Sequence, residues 1–237
     1  MKTTIFSLLC AAVLFATPSC NKISGDGPVV SQKLNITGFT GIYAGIDGDV
    51  YFTQDSVFKV EIVGQSNIIS HIQTYVENGV LQMHFEPLAN IGRHTRVTAY
   101  VSAPSAYNLG INGSGTLKVL QPIISSDLSL KVNGSGDIYV AQLTGTNLYG
   151  NISGSGNINI GAGSVRNESL QISGSGAIDL FNMYARTVDS RTSGSGTTKV
   201  NVSDDLTVNI SGSGDVYYMG NPSVHSSISG SGKVIHY

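Results

Sequence analysis

From Asn108 to Tyr237 apolar and polar residues alternate in short bursts that return at a near-constant spacing. Each burst is centred on Gly-Ser-Gly, which begins at Gly113, Gly134, Gly154, Gly174, Gly194, Gly212 and Gly230, and the last two spacings are slightly shorter than the rest. Two residues before the first glycine stand Ile111, Val132, Ile152, Ile172, Thr192, Ile210 and Ile228. Four residues after it stand Leu117, Ile138, Ile158, Ile178, Thr198, Val216 and Val234. Two further on come Val119, Val140, Ile160, Leu180, Val200, Tyr218 and His236. All these offsets are even, the period of an extended strand, so the aliphatic side chains and both glycines are expected to face one side and the serine the other. Glycine there lets the backbone bend or come close to its neighbour, and the tripeptide reads as a corner.

A second aliphatic cluster precedes each corner, at Leu128 and Leu130, Leu148, Leu170, Val188, Leu206 and Val208, and more weakly at Val224. It predicts another wall. A short coil with two or three strands and like residues stacked on like, repeating at a period within the solenoid range, is the signature of a parallel β-solenoid. Neither a 3.6-residue period nor a leucine-and-asparagine signature is present, which excludes helical and leucine-rich repeats.

Ahead of the repeats the pattern is less regular. Short strands are predicted over Val29 to Ile36, Gly41 to Ala44, Val50 to Thr53 and Phe58 to Val63, separated by glycine-rich or aspartate-rich turns. The segment Ile46 to Phe52 reads as a degenerate copy of Gly134 to Val140. Asn78-Gly79 suits a two-residue type I′ turn, because both central positions need positive φ. Counting outward from it sets Val76 opposite Leu81, Thr74 opposite Met83 and Ile72 opposite Phe85, with Tyr75–Gln82 and Gln73–His84 on the other side. A single helical turn is predicted over Asn67 to His71, and a further strand over Arg96 to Ser102.

Residues 1–19 carry Lys2, an apolar run from Ile5 to Ala16 and small residues before Cys20, the layout of a secretory signal with a lipoprotein-type cleavage site. The run is too short to span a bilayer. Lipidation is expected at Cys20, with residues 20–28 as a polar tether and residues 29–237 as one β domain whose regular repeats begin near 108. Cys10 lies within the signal, so the mature chain, from Cys20 to Tyr237, holds a single cysteine and no disulfide framework. Of 13 Lys and Arg the signal removes Lys2, leaving 12 against 15 Asp and Glu, a formal charge of −3 that argues against nucleic acid as a partner.

The lipobox-like Thr17-Pro18-Ser19-Cys20, the segment Gly38-Phe39-Thr40-Gly41-Ile42, the Gly48-Asp49-Val50 strand, the Asn78-Gly79 hairpin and the seven corners together resemble one family, the putative auto-transporter adhesin head domain, or GIN domain. The most specific part is the Ser-Gly-Ser-Gly-Asp-Ile type of motif, seen at Ser211 to Val216 and, with Asn in first place, at Asn133 to Ile138. The resemblance spans about residues 29–237. It implies an all-β, single-stranded right-handed parallel β-helix with about seven regular Gly-Ser-Gly coils and a less regular N-terminal β region. It also implies a lipoprotein of a Gram-negative envelope, in the outer membrane and exposed at the cell surface, serving adhesion, and it supplies no active-site residues to carry over.

The chemistry-bearing residues point the same way. Gly-rich loops cradle phosphate where they lead into a helix, whereas these lead into strands. The residue after each tripeptide is Thr116, Asp137, Asn157, Ala177, Thr197, Asp215 or Lys233. Its two carboxylates are expected about 19 Å apart, four rungs at the ~4.8 Å strand spacing, too far to share a calcium ion. His71, His84 and Glu86 approximate a metal set but fit an ordinary polar strand face, and no metal or other cofactor is expected. Arg93, His94 and Arg96 form the one basic cluster, read as a solvated loop.

One feature exceeds scaffolding. The outward serines Ser114, Ser135, Ser155, Ser175, Ser195, Ser213 and Ser231, flanked by Asn or Ser across the first glycine, predict a polar ladder of six intervals, about 29 Å long. It is the candidate ligand face, for a glycan or a surface protein of a host or neighbouring cell. An ice-binding role would call for threonine methyls in place of serine. The leading reading is a non-enzymatic, lipid-anchored envelope protein; the competing one is a carbohydrate-active β-helix of the polysaccharide-binding or lyase-like kind. Only Lys233 to Tyr237 follow the last corner, so no separate cap is expected there. Tyr217, Tyr218, Met219 and Tyr237 are accordingly read as a patch for weak homo-oligomerisation.

Overall fold

The computed structural model describes residues 22–237, and these form one all-β solenoid. The signal, Cys10 and Cys20 lie outside the described residues. Before the repeats come β1 (Val29–Leu34), β2 (Gly41–Gly45), β3 (Gly48–Gln54), β4 (Lys59–Gln65), the single helical turn α1 (Ser66–Ile69), β5 (Ile72–Glu77), β6 (Val80–Phe85) and β7 (Val97–Ala103). The repeats comprise β8 (Asn108–Gly113), β9 (Thr116–Val119), β10 (Ile123–Gly134), β11 (Asp137–Val140), β12 (Leu143–Gly154), β13 (Asn157–Ile160) and β14 (Gly163–Ser164). They continue through β15 (Asn167–Gly174), β16 (Ala177–Gly194), β17 (Thr197–Gly212), β18 (Asp215–Met219), β19 (Ser223–Gly230) and β20 (Lys233–His236).

Two walls meet at the Gly-Ser-Gly corners. The wall before the corner stacks β8, β10, β12, β15, β16, β17 and β19 in parallel, and the wall after it stacks β9, β11, β13, β16, β17, β18 and β20. Corner falls on corner: Gly113, Gly134, Gly154, Gly174, Gly194, Gly212 and Gly230 are successive register partners. The solenoid makes about six turns rather than seven, since seven corners bound six complete turns.

The corner needs its two glycines for different reasons. The first sits at φ between 110° and 133° and is not inward-facing as expected, but half-exposed or exposed at the bend. Its carbonyl accepts the amide of the serine one coil on, as in Ser155 N–H to Gly134 O at 2.9 Å. The second glycine is buried in every corner up to Gly214, and a Cβ on Gly176 would run into the carbonyl oxygen of Gly156 and the Ile152 side chain.

Inside, Ile111, Val132, Ile152, Ile172, Thr192 and Ile210 form one buried column, continued below by Ala44 and Met83. Ile228, at its far end, is 41% exposed because nothing stacks beyond it among the described residues. The second aliphatic cluster resolves into two columns rather than one. Leu128, Leu148, Glu168, Val188, Leu206 and Val224 make the first, and Leu109, Leu130, Gly150, Leu170, Ser190 and Val208 the second. Leu148 therefore stacks on Glu168 and not on Leu170. The coil shortens between the Gly194 and Gly212 corners, and there the β16–β17 register shifts between Asp179 and Tyr184 and again between Ala185 and Thr187. The shortening is thus absorbed in the side facing away from the corner.

The N-terminal part joins the same stack out of sequence order. Strand β2 lies between β6 and β8, and β3 between β7 and β9, so the coil first in sequence is second in space. Gly48 abuts Gly115 as a second glycine would, which confirms the Ile46 to Phe52 copy. Beyond β7 the stack ends in antiparallel pairing, β7 to β4 to β1, and beyond β6 in the β5–β6 hairpin with the expected register. Asn78 and Gly79 have φ of 50° and 75°, as the type I′ turn requires. Residues ahead of Val29 are held to the body: Ile23 N–H donates to Asn90 O at 2.8 Å and Asn67 Nδ2 to Ser24 O at 2.8 Å.

Candidate functional site

The seven serines of the expected ladder are all exposed, one per corner and in register. Their side chains interact little with one another, the nearest approach being Ser213 Oγ to Ser231 Oγ at 3.5 Å. On the flank, Asn133 Nδ2 donates to Asn112 Oδ1 at 2.8 Å. The ladder is an open ridge.

The wall before the corner offers more relief. Its outward positions form rows across the strands, because in-register parallel pairing sets each side chain above its equivalent one coil earlier. The row seven residues before the first glycine holds Asp127, Asn147, Asn167, Thr187 and Asp205. Asn147 Nδ2 donates to Asp127 Oδ1 at 2.7 Å, Asn167 Nδ2 to Asn147 Oδ1 at 2.7 Å, and Thr187 Oγ1 to Asn167 Oδ1 at 2.9 Å. Two residues along each strand, Tyr149, Ser169, Asp189 and Thr207 form the facing row. Between the rows runs a groove of about 360 Å³. Nearer the corner a second groove, of about 260 Å³, separates Gln171, Arg191 and Asn209 from Ser193, Ser211 and Ser229. The Asp189–Arg191 ion pair, at 2.8 Å, crosses the ridge between the two.

Beneath the larger groove lies the anomaly of the interior. Glu168 is 2% exposed and occupies a column otherwise filled by Leu128, Leu148, Val188, Leu206 and Val224, with no partner for either carboxyl oxygen. Burial pushes its pKa well above the usual carboxylate value, so the neutral acid is the form that fits. Ser190, Thr192 and Thr198 are also buried with unpartnered hydroxyls. Glu168 is the single ionisable residue in the buried interior among the described residues.

The other sequence candidates fall as follows. Thr116, Asp137, Asn157, Ala177, Thr197, Asp215 and Lys233 do stack in one row, headed by Asp49. Asp137 accepts from Asn157 Nδ2 at 2.7 Å and Asp215 from the Lys233 amide at 2.9 Å, so both are engaged within the row. His71 Nδ1 meets Glu86 at 2.9 Å, whereas His84 Nδ1 turns to the Phe85 carbonyl at 3.0 Å, and the three do not converge. Arg96 borders one hollow with Arg93 and His94 and forms a forked pair with Asp49, at 2.7 and 3.2 Å, joined by Lys118 at 3.2 Å. Burial raises the Asp49 carboxyl, but the hydrogen bonds and charges of Arg96 and Lys118 outweigh it and hold the pKa below the usual range. At the far end Tyr237 packs on Phe181 (5.3 Å between centroids) and Tyr218 on His236 (4.9 Å).

Sequence reasoning missed both grooves and Glu168. The signal was available in the same register: positions seven and five before each corner carry the two rows, and position six carries the column that Glu168 interrupts.

An all-β parallel solenoid with glycine corners and a long polar wall in register defines the class of β-solenoid repeat proteins, in which stacked coils present an extended face. The chain belongs to the family described as "Putative auto-transporter adhesin, head GIN domain", whose model matches residues 38–222. It is similar to the crystal structure of a putative adhesin from Bacteroides fragilis NCTC 9343, with a TM-score of 0.86 at 22% identity over 91% of this chain and 100% of that one. A putative lipid binding protein from Parabacteroides distasonis ATCC 8503 shares the fold at a TM-score of 0.77 and 24% identity, over 92% of this chain and 100% of that one. At these identities the likeness speaks to the fold alone. No curated protein is similar enough to the chain to count as a match.

Proposed function

We propose that the chain is a non-enzymatic adhesin of the bacterial envelope, anchored in the outer membrane through lipid on Cys20 and exposed at the cell surface, where its β-solenoid binds a glycan or a surface protein of a host or neighbouring cell. The observation that carries the reading is the wall itself: rows of hydrogen-bonding side chains in register over successive coils, on a backbone bonded coil to coil. A surface of this kind suits an extended partner better than a small substrate. Family membership supports adhesion as the task.

The test is adhesion of beads coated with the purified chain to epithelial cells and to cells of a second bacterium, against beads coated with a β-solenoid of unrelated sequence. Retention above the control supports the reading, and equal retention overturns it. Cleavage of a polysaccharide by the purified chain would instead favour the carbohydrate-active class. For the anchor, Cys20→Ala is expected to shift the protein from the membrane fraction to the soluble fraction, because acyl chains supply the binding. Retention of the variant in membranes would refute lipidation there.

A further inference from the structure

We propose that the groove between the Asn147–Asn167–Thr187 row and the Tyr149–Ser169–Asp189 row binds a linear, uncharged glycan lying along the solenoid axis. The inference deepens the adhesin reading and rests on it. It moves the contact surface from the serine ridge at the corners to the wall beside them.

Four observations carry it. The groove crosses four successive strands at a fixed rung of about 4.8 Å, so a chain of like units running along the axis meets like groups at each step. Its volume of about 360 Å³ lies within the range of small-molecule sites, roughly 300–1,000 Å³. Its walls carry carboxamides and hydroxyls, which pair with sugar hydroxyls as both donors and acceptors, and carboxylates, which accept. Neither Lys nor Arg lines it, while Asp189 and Asp205 do, which disfavours sulfated, phosphorylated or uronic-acid chains.

The row of amides is also fixed before any ligand arrives. Asn147 and Asn167 each spend one amide proton and one carbonyl lone pair on the rung-to-rung hydrogen bonds, at 2.7 to 2.9 Å, and keep one of each free. Side chains already held in one rotamer lose little entropy on binding. Across the groove Asp189 Oδ2 accepts from Arg191, which fixes the carboxylate at the edge of the groove. Tyr149, 47% exposed, adds a ring against which the C–H face of a pyranose packs.

The probes are three neutral hexasaccharides, of β-1,4-glucose, α-1,4-glucose and β-1,4-N-acetylglucosamine, with a heparin hexasaccharide as the charged counter-probe, titrated into the purified chain by calorimetry. At least one neutral hexamer is expected to bind. Ser169→Arg, an exposed substitution that fills the groove, is expected to weaken it by at least about tenfold, and Ser155→Arg on the corner ridge to leave it unchanged. Circular dichroism of both variants must match the parent. No binding of any neutral hexamer, equal binding by Ser169→Arg, or preference for heparin overturns the proposal. Beads carrying Ser169→Arg separate the two readings. Undiminished adhesion without hexamer binding sinks the groove and spares the adhesin, whereas hexamer binding without adhesion spares the groove and sinks the adhesin.

Discussion

The two halves of the molecule build the same coil by different means. From β8 onward each coil is laid on the one before it, and one short pattern, aliphatic, polar, Gly, Ser, Gly, polar, is reused at the corners, with Ala177 and Thr192 its two departures. Ahead of β8 the coil of β2 and β3 is completed from both sides by segments distant in sequence, β6 and β7 on one face and β8 and β9 on the other. A stack of nearest neighbours is stable in proportion to each interface, so a fault in its middle is felt by the coils on both sides. The N-terminal end is instead an ordinary mixed sheet, with a hairpin and antiparallel strands that close the stack and turn its edge.

The largest test of that contrast is a buried charge in each half. Ile172→Asp sets a carboxylate between Ile152 and Thr192 in a fully packed column and is expected to cost more than about 4 kcal/mol, enough to abolish cooperative unfolding. Ile72→Asp, on the half-buried face of β5, is expected to cost about 1–2 kcal/mol and leave the repeats folded. Thermal melts with far-ultraviolet circular dichroism decide it, and similar losses at both sites would erase the distinction.

Of intermediate size is the effect of Glu168. Its folded pKa is raised above the unfolded value of about 4.5, so the native state keeps a proton that the unfolded chain releases. The stability is therefore fully present below the ordinary carboxylate range and is lost as pH rises from there toward the raised pKa, at up to about 1.4 kcal/mol per pH unit. Urea midpoints of the parent are expected to fall between acid and neutral pH. Glu168→Gln should flatten that slope, and Glu168→Leu, which completes the column of Leu148 and Val188, should raise the midpoint at neutral pH by about 2 kcal/mol equivalent. A pH profile unchanged by Glu168→Gln would remove the account.

The smallest effect concerns the end the antiparallel strands do not close. Tyr237 is 78% exposed and Val224 and Ile228 are more than a third exposed there. We expect weak self-association through this end, seen as a rise in light-scattering mass with concentration and reduced by Tyr237→Ser. A constant monomer mass for both proteins would dismiss it.

The repeat half was legible because its apolar positions recur, and three inward columns follow from even offsets, although these wrongly set the first corner glycine inward; ahead of the repeats, the β5–β6 register follows from Asn78-Gly79. The N-terminal order was not, since pairing of β2 with β6 and β8 joins segments that share no repeated pattern, and only Gly48 marks the coil as a copy. Helix α1 starts at Ser66, one residue ahead of the expected turn and two short of its end. The grooves escaped notice because outward polar positions carry no hydrophobic signal; their rows emerge only once the coils are aligned residue on residue. Glu168 was passed over since Leu170, two positions on, supplied the aliphatic residue the pattern asked for.

The placement of the first coil also decides how the molecule meets force. A pull applied ahead of Ile23 first breaks the hydrogen bonds of Ile23 to Asn90 and of Ser24 to Asn67, and then strips β1 from β4, a short antiparallel pairing from Val29 to Leu34. The load then reaches β2 and β3, and these are bonded to strands on both edges, so the coil cannot peel away as an end coil would. It must break two interfaces at once. A solenoid wound strictly in sequence would unravel coil by coil from a pulled N-terminal end, whereas this one has a doubly bonded clasp there and leaves unravelling to the opposite end.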